Sequence, residues 1–188
     1  MIIYSRGEAA TYPITVDEAK IHLRVDGTDE DTYIASLIKV ATSLCEAYAG
    51  LSFITRTRTI KVDSFYGKDL ILPYGPVTAI TSIEYVDSDD ASQTIDSGDY
   101  TLDMSSGMAK VRVTESWPYT NLTLNNVVIT YVAGRATAAD VPEIVKQAIK
   151  ATVANLFENR GESEKPGGLS WLAMDLLDTV KVYWNAET

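Results

Sequence analysis

Gly50-Leu51-Ser52-Phe53-Ile54-Thr55-Arg56-Thr57-Arg58-Thr59-Ile60-Lys61-Val62 is where the chain changes its period. Upstream, apolar residues recur at spacings of three and four. From Phe53 onward Thr and β-branched residues alternate every two positions, the pattern of a strand with one buried face. Gly50 stands where a left-handed residue commonly closes a helix. The chain is therefore helical up to Gly50 and turns to sheet from Phe53.

Toward the N-terminus, the helix closed by Gly50 is expected from about Asp29 to Ala49, with Ile34, Leu37, Ile38, Ala41, Leu44, Cys45 and Tyr48 forming one apolar stripe. A shorter helix, about Val16 to Val25, precedes it. Thr15 and Glu18 have the spacing of a capping box, in which each side chain satisfies a free backbone N–H of the first turn. Pro13 lies just outside. Between the helices, Asp26-Gly27-Thr28-Asp29-Glu30-Asp31 combines a glycine that permits the turn with acids that favour a helix N-terminus.

Toward the C-terminus, strands are expected at Leu70 to Leu72, Ile80 to Val86, Tyr100 to Asp103, Ala109 to Val113 and Val127 to Val132. Turn signals separate them, among them Pro73-Tyr74-Gly75-Pro76, Asp87-Ser88-Asp89-Asp90 and Ser105-Ser106-Gly107. The helical period returns after Ala133-Gly134-Arg135. Asp140, Pro142 and Glu143 read as the start of a helix carrying Ile144, Val145, Ala148, Ile149, Val153, Leu156 and Phe157, ending near Asn159. Arg160 to Gly168 has no apolar anchor and reads as a mobile loop. A last amphipathic segment places Leu169, Leu172, Ala173, Leu176, Leu177 and Val180 on one face, with Trp171, Met174, Tyr183 and Trp184 beside or beyond it.

The expected class is α+β: a helical bundle of two N-terminal and two C-terminal helices, with an antiparallel β-module inserted between helices 2 and 3. Residues 1–52 and 134–188 form the helical domain in this reading, and 53–133 the β-rich module.

Composition narrows the function. The 188 residues include 16 basic and 26 acidic side chains, a net charge of −10, and 46% are hydrophobic. That is ample for a core. One cysteine forms no internal disulfide, and one cysteine with one histidine is too few for the usual zinc ligand sets. No apolar run approaches the roughly 18–20 residues of a membrane span, and Met1 to Glu8 lacks the apolar core of a signal peptide. Synthesis in the cytoplasm, with no membrane contact, is the expectation. Gripping nucleic acid needs clustered Lys and Arg, which an acidic chain does not favour.

Individual residues offer little chemistry. His22 has no local partner of a catalytic kind, and Cys45 sits in an apolar stripe where a thiol behaves as a small hydrophobe. The acidic runs 26–31 and 87–90 lack the alternating ligands and terminal Glu of a calcium loop and read as caps and turns. Gly161, Gly167 and Gly168 make no phosphate cradle. Arg56, Arg58 and Lys61 are read as protection of an edge strand, with nucleic-acid contact the weaker alternative. No catalytic, metal or cofactor residue is assigned.

The order of elements and several strings resemble the head-tail connector, or head-completion, proteins of tailed phages, prophages and gene transfer agents. The strings are Ile14-Thr15-Val16-Asp17-Glu18-Ala19-Lys20-Ile21-His22-Leu23-Arg24-Val25-Asp26, Asp29-Glu30-Asp31 leading to Ile34 and Ile38, and Glu46-Ala47-Tyr48-Ala49-Gly50. Others are Ile54-Thr55-Arg56-Thr57, Val77 to Tyr85 before an Asp-rich turn, Trp117-Pro118, Val132-Ala133-Gly134, and Val141-Pro142 through Ala148-Ile149 to Phe157-Glu158-Asn159-Arg160. Together they span nearly the whole chain.

The resemblance implies a structural protein without enzyme activity or cofactor, at the head-tail junction of a virion. It implies a ring adaptor beneath the portal that follows a twelvefold symmetry and meets a neck, stopper or tail-terminator protein on its other side; ordered assembly makes a free monomer reasonable, and the sequence leaves the solution state open. DNA would pass through without sequence-specific binding, and negative charge would keep the wall from gripping it. By analogy with family tails that reach the portal, Trp171, Leu172, Met174, Leu176, Leu177, Tyr183 and Trp184 are the expected docking residues. Deletion of 161–188 is expected to remove portal binding and spare the remaining fold.

Three other readings compete. A tail-terminator or other neck or tail ring protein would be dominated by sheet, so a marked helical excess would favour the connector. An enzyme working through paired carboxylates would respond to divalent cations. A peptide-binding regulatory module would be a stable monomer.

Overall fold

The structure, a computed structural model, describes residues 3–105, 108–121, 123–159 and 168–182. These form two compact units. One contains residues 10–54 and 135–182, the other residues 3–9 and 55–134. Four helices and two antiparallel sheets make the chain α+β, with the sheets inserted between the second and third helices.

In the helical unit, α1 spans Val16–Leu23 and begins with the expected capping box: Glu18 N–H donates to Thr15 Oγ1 at 3.2 Å and Thr15 N–H to Glu18 Oε2 at 2.7 Å. Arg24, at φ 56°, closes it. Lys20 then joins α1 to α2 through Asp31 at 2.7 Å. The second helix, α2, spans Asp31–Ala49 and buries Ile34, Leu37, Ile38, Ala41, Cys45 and Ala49. Gly50 closes it at φ 67°, donating to the Glu46 carbonyl at 3.0 Å.

The Glu46 side chain is buried in the same stripe and accepts from Phe53 N–H at 2.8 Å. A polar residue occupies a core position here because it satisfies a backbone donor just after the helix.

The third helix, α3 (Glu143–Glu158), packs Val145, Ala148, Ile149 and Val153 toward α2. Its start differs from the sequence expectation. Asp140 belongs to a separate 3-10 turn, Ala138–Asp140, where it accepts from Thr137 N–H at 3.0 Å and Thr137 Oγ1 at 2.8 Å. Pro142 caps α3 without a side-chain bond. The residue before a proline is driven to extended backbone, and Val141 has ψ 126°. That break separates the two helical pieces. Last comes α4, Trp171–Asp178, with Ser170 Oγ accepting from Ala173 N–H at 3.1 Å.

In the sheet unit, eight strands run β1 (Ile3–Arg6), β2 (Arg56–Val62), β3 (Leu70–Leu72), β4 (Val77–Val86), β5 (Ser92–Thr94), β6 (Tyr100–Asp103), β7 (Ala109–Val113) and β8 (Val127–Ala133). They form a five-stranded sheet, β1-β2-β8-β4-β5, and a three-stranded sheet, β3-β7-β6. Strands β2 and β8 bury alternate residues, and Ile60, Val62, Leu72, Ile83, Val111, Ile129 and Tyr131 fill the core.

Strands β1 and β5 are additions to the sequence reading, both short edge strands. Another difference concerns Arg56 and Arg58. Because β1 covers one side of β2 and β8 the other, β2 is interior and its arginines protect no edge. Both are buried, on the same face as Ile60 and Val62, and the Arg58 guanidinium lies 4.2 Å from the Tyr74 ring centroid. Stacking of a planar cation on an aromatic face lets the strand keep an arginine inside.

Candidate interaction surfaces

Among the described residues, no group of three His, Cys, Asp or Glu side chains is arranged to hold a metal ion. Cys45 is fully buried, 3.6 Å from Thr152 Oγ1, and burial pushes its thiol up to about 11, so the nucleophilic thiolate is suppressed. His22 lies exposed on α1. Asp87, in the acidic 87–90 run, accepts from Asp89 N–H at 2.9 Å, Ala91 N–H at 3.0 Å and Gln93 Nε2 at 2.8 Å. Its carboxyl organises a turn, as the spacing suggested. No described helix is long and apolar enough to cross a membrane.

The molecule's surfaces are more informative. On α4 the seven expected docking residues divide into three groups. Trp171 and Leu172 are exposed, at 67% and 59%, which is uncommon for side chains this large and apolar. Met174 and Leu176 are half-buried. Leu177 is fully buried beside Ala173, where α4 packs on α3 and α2. Leu177 is therefore an anchor of the bundle and is removed from the docking set. Tyr183 and Trp184 lie outside the described residues.

The division follows from helix geometry. Ala173 and Leu177 are four apart and share the inner face, whereas Trp171 and Leu172 sit in the first turn on the outer side. Both ends of the helix are held. Ser170 caps the start, and Tyr48 Oη donates to Asp178 Oδ1 at 2.8 Å near the end. Trp171 and Leu172 are thus displayed on a fixed helix.

A second apolar surface, on the sheet unit, escaped the sequence reading. Tyr119 is 92% exposed, and Tyr66 and Leu124 are also exposed. Their sequence neighbours are in contact: Phe65 stacks on Trp117 at 4.4 Å and 7°, Tyr85 meets Phe65 edge-on at 5.8 Å, and Asn125 N–H donates to Asp63 at 2.9 Å. Residues 116–126 carry no charge, which was the available signal.

With a helical unit, an inserted sheet unit and exposed apolar side chains on each, the chain can be compared with known proteins. Its sequence matches the family described as head completion protein over residues 13–168. The chain belongs to the head completion protein family.

Three solved structures resemble this head completion protein along its whole length. One is the "Neck of empty GTA particle computed with C6 symmetry", GTA being gene transfer agent: 19% identity, 99% of this chain and 98% of that chain covered, TM-score 0.79. The "Virion of native gene transfer agent (GTA) particle" contains a chain at 20% identity, with 100% and 98% covered and TM-score 0.74. A chain of the "Neck of native GTA particle computed with C12 symmetry" has 20% identity, 98% covered on both sides and TM-score 0.72. At these identities the likeness is one of fold. No curated protein matches.

Proposed function

We propose that this head completion protein is a head-tail connector: a structural, non-enzymatic subunit of a ring beneath the portal at the virion's head-tail junction. The family match over residues 13–168 carries the reading. Likeness of fold to chains in the neck of a gene transfer agent, in particles computed with sixfold and twelvefold symmetry, supports a ring, with twelve copies as its expected number. The helical domain of residues 1–52 and 134–188 and the β-module of 53–133 divide the contacts between them in this reading.

The outer side of α4 is the portal-facing surface. Trp171 and Leu172 supply its exposed apolar area and Met174 and Leu176 its half-buried border. Tyr183 and Trp184, outside the described residues, complete the proposed docking set. The opposite partner is a neck, stopper or tail-terminator protein. DNA passes through the ring without sequence-specific contact, helped by the net charge of −10.

A second reading, a tail-terminator or other neck ring protein, draws support from one observation. Helices and strands occupy comparable lengths of the described chain, so the helical excess expected of a connector is lacking. Sedimentation of the full chain, alone and mixed with its cognate portal protein, separates the two. Co-sedimentation near one subunit to one, weakened by Trp171→Ser with Leu172→Ser, is expected of the connector. A chain that stays apart from an intact portal refutes it in favour of a tail-side ring.

A further inference from the structure

Charge in the sheet unit is sorted by position. Residues 67–138 contain four bases and nine acids. Six of those acids, Glu84, Asp87, Asp89, Asp90, Asp96 and Asp99, fall within residues 84–99, which contain no base. They lie on and beside the β4–β5 hairpin, whose residues 88–94 are all exposed. The hairpin is prearranged: Asp87 holds its turn, Asn121 Nδ2 donates to Asp90 Oδ1, and Asn121 N–H donates to the Val86 carbonyl at 3.0 Å.

Three of the four bases belong to the other sheet and its border: Lys110 and Arg112 on β7, and Lys68 two residues before β3. Lys110 and Arg112 flank the buried Val111 on β7 and so share the opposite face. Arg112 grips Asp69 through two bonds, 2.5 and 2.6 Å long. Arg112 first, then Lys110 and Lys68, hold the Asp69 carboxyl below its usual range. With Asp69 and Asp103 counted, this face is net positive, in a chain of charge −10.

Along β6–β7 the basic face runs from Lys110, paired with Asp103, to Arg112, paired with Thr101, and the acidic stretch 84–99 ends just before Tyr100. The acidic hairpin itself belongs to the five-stranded sheet and the basic face to the three-stranded sheet. A negative, exposed hairpin and a positive face with Lys68 and Arg112 exposed and Lys110 half-buried suit a contact in which each copy offers one surface and receives the other. That is the head-to-tail arrangement from which closed rings are built.

We infer that the acidic β4–β5 hairpin of one copy docks on the Lys68, Lys110 and Arg112 face of the next copy. The inference rests on the ring reading and specifies which surfaces make the ring. Complementary charge sets the register and speeds encounter, and salt screens it.

The test uses full-length chains in sedimentation velocity at low and high salt, alone and on the portal protein. One variant reverses the face, Lys68→Glu with Lys110→Glu, leaving the Arg112–Asp69 pair intact. The other reverses the hairpin, Asp89→Lys with Asp96→Lys, leaving Asp87 and Asp90 in place. Expected are salt-sensitive assemblies larger than a dimer for the parent, and a roughly tenfold higher concentration needed by either variant alone. An equimolar mixture should recover assembly, because each variant's altered surface then meets the other's. Circular dichroism verifies folding, and the neutral pair Lys68→Gln with Lys110→Gln replaces any variant that misfolds.

Variants that assemble like the parent would overturn the inference while leaving the ring intact. So would a mixture that fails to recover, or a parent that stops at the dimer. A parent that stays monomeric both alone and on the portal would remove the ring reading as well.

Discussion

Leu177→Ala and Trp171→Ser, six residues apart on the same helix, should have opposite consequences. Leu177 is fully buried, and with Ala173 it supplies the fully buried side chains of an eight-residue helix. A helix this short has almost no stability of its own and depends on such anchors. Replacement of a buried Leu by Ala costs about 2–5 kcal/mol, the lost transfer free energy plus the residual cavity. Because α4 can shift inward and close part of that cavity, the lower half, about 2–3.5 kcal/mol, is expected. In a domain of this size that lowers the melting temperature by roughly 4–14 °C.

Trp171 is two-thirds exposed, so Trp171→Ser should cost at most about 1 kcal/mol. Its effect should fall on portal binding. Urea denaturation followed by far-UV circular dichroism measures the first quantity, and co-sedimentation with the portal protein the second. A Leu177→Ala cost below 1 kcal/mol, or a Trp171→Ser cost equal to it, would refute the assignment of inner and outer faces. The same reasoning alters the expectation for deletion of 161–188. That deletion removes Ala173 and Leu177 along with the exposed Trp171 and Leu172, so the helical unit should lose stability and the deletion cannot isolate the proposed docking.

Three further outcomes follow from single contacts. Tyr131 Oη donates to the buried Pro73 carbonyl at 2.7 Å, so Tyr131→Phe should cost about 1–2 kcal/mol in urea titration, since the carbonyl loses its partner. Gly50→Ala would place a Cβ 2.8 Å from the Val182 carbonyl oxygen at φ 67°, and a loss above about 1 kcal/mol is expected, with calorimetry as the check. Cys45 should resist a thiol reagent at pH 8 and react once the chain is unfolded. Its folded pKa, about 11, lies above the ordinary 9.0, so its contribution to stability is whole below pH 9 and declines as pH rises toward 11. Equal reaction rates for folded and unfolded chains would contradict that burial.

Where sequence reading succeeded, the deciding information was local. The Thr15–Glu18 box, the α2 stripe and the Gly50 stop each involve residues within one or two helical turns, and all three are present. The alternation in β2 and β8 was equally plain. The start of α3 was misread because Asp140 and Glu143 have capping spacing, whereas Pro142 forces an extended residue between them. Strand β1 went unseen because its partner, β2, begins some fifty residues later.

The surfaces were less legible still. Amphipathicity placed Leu172 and Leu177 on one face, yet only the packing of α4 on α3 and α2 leaves Leu172 exposed and Leu177 buried. Arg56 and Arg58 resembled edge guards until β1 enclosed their strand. The uncharged segment containing Tyr119 and Leu124 was visible as composition, but the exposure of those two side chains and the stacking of Trp117 on Phe65 are seen only in the fold.

By itself the sequence determined the kinds of element, their order, their caps and the insertion of a sheet between two pairs of helices. These depend on backbone propensities and on periods of 3.6 and two, which neighbouring residues set. Tertiary structure alone decided which strands are interior, which face of α4 is exposed, and that Arg112 meets Asp69 across the sheet unit. Those outcomes depend on pairing and burial between residues far apart in the chain, and no local period encodes them.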